Sequence, residues 1–460
     1  MNGKMPMQNT LLRIDHIELS NYRCFQRLSM DFHDKLTVIV ARNGCGKTAV
    51  LDALAVALGP FVGAFDEAKG THFATSDVRL VRMSDTTMAE MEAQYPLTMK
   101  VDGIVNGHKE TWQRELKSAK SRTTYGAAAV LNKYGKDLQS QVRAAADRRG
   151  ASPILPLVSY YGTGRLWSEM RPTSDKKASN RTSRLVGYSD CLNSASKYKI
   201  FADWFERLCR AEFEERNKPK SLAAIQEYLS AIRGAVDEVL RPSGWHSIYF
   251  KNTETGIVAT HDQYGMLPVA HLSDGIRTLI GVTADIAHRA IRLNSQLGRE
   301  AVTSTPGIVL IDEVDMHLHP EWQQVIIESL RNAFPRIQFI VTTHSPQVLT
   351  TVHQNSVRIL QQTADGWQVV LPKLQTRGVE SANVLASIMG VDPIPKVKEA
   401  KWIADYQALI ENNQASSSDA NTLRKKLEAH FGQKHPVILD CDRLIRFQAF
   451  KQRHKNSGKE

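Results

Sequence analysis

The densest chemistry in this 460-residue chain lies in Ala41-Arg42-Asn43-Gly44-Cys45-Gly46-Lys47-Thr48. The run follows G-x-x-x-x-G-K-[ST], with alanine at the first glycine position. The β-branched run Leu36–Val40 precedes it, and an Ala- and Leu-rich stretch follows. Gly44 and Gly46 let backbone N–H groups curl around a β-phosphate. The helix that opens behind them adds its partial positive charge. Lys47 is expected to reach the β- and γ-phosphates and Thr48 to ligate Mg²⁺. Asn43, Gly44, Cys45, Gly46, Lys47, Thr48 and Ala49 are therefore the candidate nucleotide-binding residues.

A second cluster ends an apolar strand, Gly307-Ile308-Val309-Leu310-Ile311-Asp312-Glu313. A parallel strand ending in Asp points its carboxylate into the crevice at the sheet's C-terminal edge. Asp312 is expected to hold Mg²⁺ through water, and Glu313 to orient or deprotonate an attacking water. A third cluster, Leu272-Ser273-Asp274-Gly275-Ile276-Arg277, opens a helix. Ser273 reads either as an ordinary N-cap or, with Gly275, as an anion site for a γ-phosphate. Asp315-Met316-His317-Leu318-His319-Pro320 follows the acidic pair. The strand ending at Thr342-Thr343-His344 puts His344 on the same sheet edge, although a lone histidine there is usually structural or solvated.

Positioning these groups requires strands and helices in alternation. Leu12–Ser20 and Leu36–Val40 read as strands, and a helix runs from about Gly46 to Leu58, stopped by Gly59-Pro60. Leu97–Val101 and Ile154–Tyr161 are strand-like, and Lys136–Arg149 is helical. Met170–Ser196 is polar and basic and reads as a mobile loop. Tyr198–Leu240 has helical periodicity in two segments, divided at Pro219, and short strands follow at Ser247–Phe250 and Gly256–Thr260. From Leu272 the order is helix (Gly275–Leu293), strand (Ile308–Ile311), helix (Pro320–Ala333), strand (Ile337–Val341), the βαβ alternation of a parallel sheet. The fold class is thus α/β: a mixed or parallel sheet flanked by helices, with a helical insertion and a helical C-terminal segment.

The bulk properties set outer limits. Hydrophobic content of 42% and charged content of 23% suit a globular protein. No run is apolar and long enough to span a bilayer. Five scattered cysteines without a C-x-x-C pair argue against a zinc site and suit a reducing, cytoplasmic setting. A net charge of +11 permits a nucleic-acid partner and equally serves solubility. The cations concentrate at Arg165, Arg171, Lys176, Lys177, Arg181 and Arg184, and again in the tail from Arg443 to Lys455.

In this order the clusters resemble the ABC/SMC ATPase family: Walker A, signature motif, Walker B with a catalytic glutamate, D-loop and H-loop. The resemblance covers Leu12–Ala57 and Leu272–Leu349. It implies ATP with Mg²⁺ and a head-to-tail dimer of two copies. Ser273 and Gly275 would then contact the γ-phosphate bound by the opposite subunit. His344 would bond that phosphate from the subunit that supplies Lys47, and Asp315 would lie across the interface. The signature reads Leu-Ser-Asp-Gly, with Asp274 where the family commonly has glycine. Asn21-Tyr22-Arg23-Cys24-Phe25 resembles the opening of RecF-like ATPases, and no long heptad region admits a long-coil SMC protein. Tyr160-Tyr161-Gly162-Thr163-Gly164-Arg165, the run from Leu310 through Gln323 and the tail Arg443–Lys451 are most similar to the PtuA family of Septu anti-phage systems, including retron-associated ones. That likeness implies an HNH nuclease partner of the PtuB kind, and possible association with a reverse transcriptase and its msDNA. The alternatives are a RecF-like DNA-repair ATPase and a scaffold in which ATP is a structural ligand. Asp440-Cys441-Asp442 resembles a Toprim D-x-D, but Pro436, Val437, Cys441, Leu444, Ile445 and Gln448 have helical spacing. The domain organisation expected is an N-terminal lobe (1–60), an insertion (61–270), a C-terminal lobe (271–371) and a helical docking segment (372–460).

Overall fold

The computed structural model describes residues 10–82, 91–147, 151–165, 183–194, 198–215, 218–251, 256–364 and 366–457. In chain order the strands and helices begin with β1 (Leu12–Tyr22), β2 (Phe25–Asp31), β3 (Leu36–Val40) and α1 (Lys47–Val62). There follow β4 (Leu80–Arg82), β5 (Met91–Ala93), β6 (Leu97–Val105), β7 (His108–Leu116), α2 (Ala129–Ala146) and β8 (Leu157–Tyr161). The middle of the chain forms α3 (Tyr198–Glu214), α4 (Pro219–Leu240), β9 (Trp245–Lys251), β10 (Gly256–His261), β11 (Gly265–Pro268) and α5 (Asp274–Leu293). Then come α6 (Ala301–Ser304), β12 (Gly307–Ile311), α7 (Pro320–Gln323), α8 (Ile326–Ala333), β13 (Ile337–Thr342), α9 (Pro346–Leu349), β14 (Val357–Thr363) and β15 (Gly366–Val370). The chain closes with α10 (Ser381–Ser387), α11 (Lys398–Glu411), α12 (Ser418–Phe431) and α13 (Pro436–Ser457).

The site rests on a six-stranded sheet in the order β15-β14-β3-β13-β12-β8. Strands β14, β3, β13, β12 and β8 are parallel, and β15 pairs antiparallel at the edge. Every residue of β3, β8, β12 and β13 is buried. Continuous apolar runs are what a parallel sheet covered on both faces requires. A second, antiparallel sheet, β2-β1-β6-β7, joins the N-terminal strand to β6, which extends the Leu97–Val101 strand, and to β7, which the sequence did not mark. The strand β7 (HKETWQREL) is polar along most of its length, and only Trp112, Arg114 and Leu116 turn inward. This is the α/β architecture expected from the motif order.

Two expectations about helices need correction. Gly59-Pro60 does not end α1, which runs on to Val62 with Pro60 inside it. A proline within a helix removes the bond to the carbonyl four residues back. That carbonyl, Val56 O, instead accepts from Arg114 Nη1 at 2.8 Å. The same nitrogen reaches Thr71 O at 2.8 Å, and Arg114 is fully buried. Gly59 is needed because a Cβ there would lie 2.3 Å from Thr71 O. Likewise, Pro320–Ala333 is not one helix but two, α7 and α8, separated at Gln324-Val325.

The basic Met170–Ser196 stretch falls partly outside the described residues, including Arg171, Lys176, Lys177 and Arg181. Its described end is ordered as a short 3₁₀ helix, Arg184–Tyr188. Arg184 donates to Leu293 O at 2.6 Å and to Pro153 O at 2.7 Å, so this cation holds backbone together.

The chain forms two compact units, Met1–Val384 and Leu385–Glu460. The second has its own core of Tyr406, Ile410, Ala420, Leu427, Ile438 and Cys441. Arg424 pairs there with Glu428 and Asp442, both at 2.6 Å. Asp440-Cys441-Asp442 accordingly sits within α13, as the helical spacing indicated. Among the described residues no helix is long and apolar enough to cross a membrane.

Arg114→Met should preserve volume while leaving the carbonyls of Val56 and Thr71 unpaired. Leaving buried acceptors unsatisfied costs about 2–4 kcal/mol here. The thermal midpoint should fall by roughly 2–5 °C for a unit of this size, and a midpoint unchanged in a calorimetric scan would refute this role for Arg114.

Candidate nucleotide-binding site

The cradle is built from backbone geometry first. Gly44 and Gly46 have φ of 75° and 82°, the left-handed region that glycine enters without steric cost. At Gly46 a Cβ would also lie 2.4 Å from Phe25 Cζ and 2.8 Å from Cys24 Sγ, so the Tyr22–Phe25 turn backs the loop closely. Ala41, where the motif has glycine, is not among the positive-φ residues. Its carbonyl accepts from Lys47 Nζ at 3.3 Å. Burial pushes the Lys47 ammonium below its ordinary range, and the carboxylates of Asp312 and Glu313 partly offset it.

The acidic strand end meets this cradle directly. Thr48 Oγ1 donates to Asp312 Oδ2 at 2.7 Å, and Thr342 Oγ1 donates to Asp312 Oδ1 at 2.5 Å. Asp312 is fully buried. Two hard oxygen donors from different elements, side by side at the helix tip, suit Mg²⁺, which takes few protein ligands and keeps several waters. Glu313 leaves the strand with φ of 47°. Left-handed backbone is uncommon for a residue other than glycine, and it turns the glutamate out of the strand's line. Its N–H donates to Thr342 Oγ1 at 2.7 Å, which holds the turn.

Asp315 accepts from Thr343 Oγ1 at 2.5 Å. His344 follows, half-buried. Burial lowers its pKa below 6.5, and Lys47 lowers it further, while Glu313, Asp315 and Asp312 act in the opposite sense. Lys47, Thr48, Asp312, Glu313, Asp315 and His344 therefore share one electrostatic environment at the sheet's C-terminal edge.

At the tip of α5 the N-cap reading of Ser273 does not hold in full. Ser273 occupies the N-cap position, but its side chain makes no capping hydrogen bond, and the residue is exposed. Asp274 forms an ion pair with Arg277 three residues on, which partly neutralises the unusual charge in the signature. Gly275 is buried, and a Cβ there would lie 2.4 Å from His317 O. This glycine is thus required within its own chain, where the helix tip packs on the loop after Asp315.

Sequence reasoning missed several supporting groups. Thr342 and Thr343 carry the hydrogen bonds that fix both carboxylates, and their signal was two hydroxyls ending an apolar strand. Asp52, one turn beyond Thr48, accepts from Arg23 Nη1 at 2.6 Å and from the Tyr160 hydroxyl at 2.7 Å. Nothing in the spacing of Asp52 marks it.

A glycine-lined cradle on a parallel strand, with an acidic strand end and a histidine beside it, defines a P-loop nucleotide-binding domain. Family models agree: one described as "AAA domain" matches residues 16–235, and one described as "AAA domain, putative AbiEii toxin, Type IV TA system" matches residues 196–350. Retron Ec83 probable ATPase of Escherichia coli is 26% identical, over 93% of this chain and 86% of its own length. Retron Vc95 probable ATPase of Vibrio cholerae is 24% identical, over 92% and 88%. Septu protein PtuA of Bacillus mycoides is 33% identical over 165 residues, 35% of this chain and 22% of that protein. Among solved structures, the SMC head domain from Thermotoga maritima aligns with 79% of this chain and all of its own, at 13% identity and a TM-score of 0.41. The chain is an ATPase with AAA domains, similar over nearly its whole length to the retron ATPases and over about a third of it to PtuA.

His344 provides a check on the site's electrostatics. With its folded pKa below 6.5, the folded chain resists a proton that the unfolded chain accepts. Its contribution to stability is therefore present above pH 6.5 and declines as pH falls below it. An NMR titration should place His344 below 6.5, and Lys47→Met should move it part of the way back, because burial, the larger cause, remains. A midpoint indifferent to Lys47→Met would separate the two residues.

Proposed function

We propose that this chain is the ATPase of an anti-phage defence system, in which two copies close head to tail on two ATP molecules and so control a partner HNH nuclease of the PtuB kind. A retron reverse transcriptase and its msDNA are further partners in this reading. The observation that carries it is the Thr48–Asp312–Thr342 junction beside Lys47, together with a Ser273 hydroxyl left exposed and uncapped on α5. Relatives that match over nearly the whole chain are named as retron ATPases, which supports the defence setting.

In this mechanism the triphosphate lies along the N–H groups of residues 44–48, with Lys47 on its β- and γ-phosphates. Thr48 and Asp312 would hold Mg²⁺, which would supply charge neutralisation on the phosphates. Glu313 orients the attacking water and takes its proton as the Pγ–O bond to ADP breaks. His344 donates a hydrogen bond to the γ-phosphate. Ser273 and the first N–H groups of α5 from the other copy complete the γ-phosphate's contacts. The second compact unit, with its exposed Phe447 and Phe450, docks the partner.

Native mass measurement with and without ATP tests the assembly. The unmodified chain should dimerise on ATP. Lys47→Ala should lose nucleotide binding by at least about 100-fold, and Ser273→Arg should bind ATP yet stay monomeric, since its bulk and charge occupy the γ-phosphate's place. A Ser273→Arg protein that dimerises on ATP would defeat the sandwich. Glu313→Gln should accumulate the ATP-bound dimer and slow turnover at least about 100-fold. Turnover unaffected by Glu313→Gln would remove that residue from the chemistry.

A further inference from the structure

The pair Tyr160-Tyr161 on β8 is not used by the mechanism above, yet both rings are buried and both hydroxyls are aimed at carboxylates. Consecutive strand residues point to opposite faces of a sheet. The Tyr160 hydroxyl donates to Asp52 Oδ1 at 2.7 Å, on the helix that begins with Lys47 and Thr48. The Tyr161 hydroxyl donates to Asp285 Oδ2 at 2.8 Å, on the helix that Ser273 opens. Between them, the backbone of β8 runs parallel to β12, and Tyr161 O accepts from Asp312 N at 2.8 Å. One dipeptide thus touches the P-loop helix, the acidic strand end and the signature helix.

The chemistry at each end is more than packing. Asp52 also takes Arg23 Nη1 at 2.6 Å, and Arg23 reaches Asp77 at 2.8 Å. Asp285 is buried and pairs with Arg289 Nε at 2.7 Å. Arg289 Nη1 in turn donates to Gly187 O at 2.8 Å and Ser189 O at 3.1 Å. The other oxygen, Asp285 Oδ1, has no hydrogen-bond partner among the described residues. Loss of the tyrosine hydroxyl would leave this buried carboxylate with Arg289 alone. A phenylalanine would fill the same volume, so filling the core does not explain two buried hydroxyls on two buried or half-buried carboxylates.

We infer that Tyr160 and Tyr161 are positioning residues that fasten α1 and α5 to opposite faces of one strand, so that ATP seated on Lys47 sets the orientation of the Ser273 helix tip in the same chain. The inference rests on the proposed sandwich for its purpose, but its test does not depend on dimerisation. In the Ser273→Arg protein, hydrogen exchange of the full chain should show an ATP-dependent slowing within Asp274–Thr283 of at least about fivefold. Adding Tyr161→Phe should bring that difference below about twofold while the ATP dissociation constant stays within about threefold. Asp285→Asn should act in the same way and replaces Tyr161→Phe if that variant does not fold. Tyr160→Phe should instead weaken ATP binding itself, because it leaves Asp52, one turn from Thr48, held by Arg23 alone. The inference is overturned if the ATP-dependent difference survives both Tyr161→Phe and Asp285→Asn, or if Ser273→Arg with both tyrosines intact shows no such difference. Failure of the sandwich would appear separately, as an unmodified chain that stays monomeric with ATP.

Discussion

Asp312 is a buried carboxylate between two hydroxyls, and the geometry of the whole site depends on that junction. A charge removed from water must be hydrogen-bonded or paired, or it shifts its protonation. Thr48 binds one oxygen and so fixes the first turn of α1, where Lys47 sits. Thr342 binds the other and so fixes the end of β13, just before Asp315's partner Thr343 and His344. The Thr342 hydroxyl also accepts from Glu313 N, which sets the left-handed turn that carries the glutamate away from the strand. One carboxylate thereby places the lysine, the glutamate and the histidine relative to one another.

The helix behind the loop shows how packing overrides local preference. Gly59 and Pro60 are strong helix terminators in an isolated peptide. Here Arg114, arriving from the antiparallel sheet, donates to the carbonyl that Pro60 leaves without a partner. Close approach of the Thr71 backbone then makes glycine at 59 a requirement rather than a weakness. The N-terminal sheet is thus wired to the nucleotide helix by a buried cation.

That case also explains what could be read in advance. The central strands were legible because two covered faces demand unbroken apolar runs, and Leu36–Val40 and Gly307–Ile311 have them. The cradle was legible because positive φ favours glycine at 44 and 46, and close approach of Phe25 and Cys24 demands it at 46. By contrast, α1's extension depended on Arg114, 54 positions beyond Pro60 in the sequence. Thr342, Asp52 and the two tyrosines were equally hidden, since a hydroxyl or carboxylate shows its role only when the fold brings its partner within about 3 Å. The strand β7 was obscured by polar residues facing outward from a sheet with only one covered face.

The helix tip at Ser273 carries the argument furthest. Close approach of His317's carbonyl leaves no room for a side chain at Gly275, and Asp274 is paired with Arg277. The tip's shape is therefore set within one chain, and Ser273 and Asp274 are both exposed at its end. In the proposed assembly the phosphate cradle of one copy and the Ser273 tip of the other are the two halves of one site. Two-fold symmetry is the simplest operation that brings cradle to tip, and it does so twice at once. Under the proposed symmetry both sites would form together, so nucleotide in one cradle would favour closure on the other.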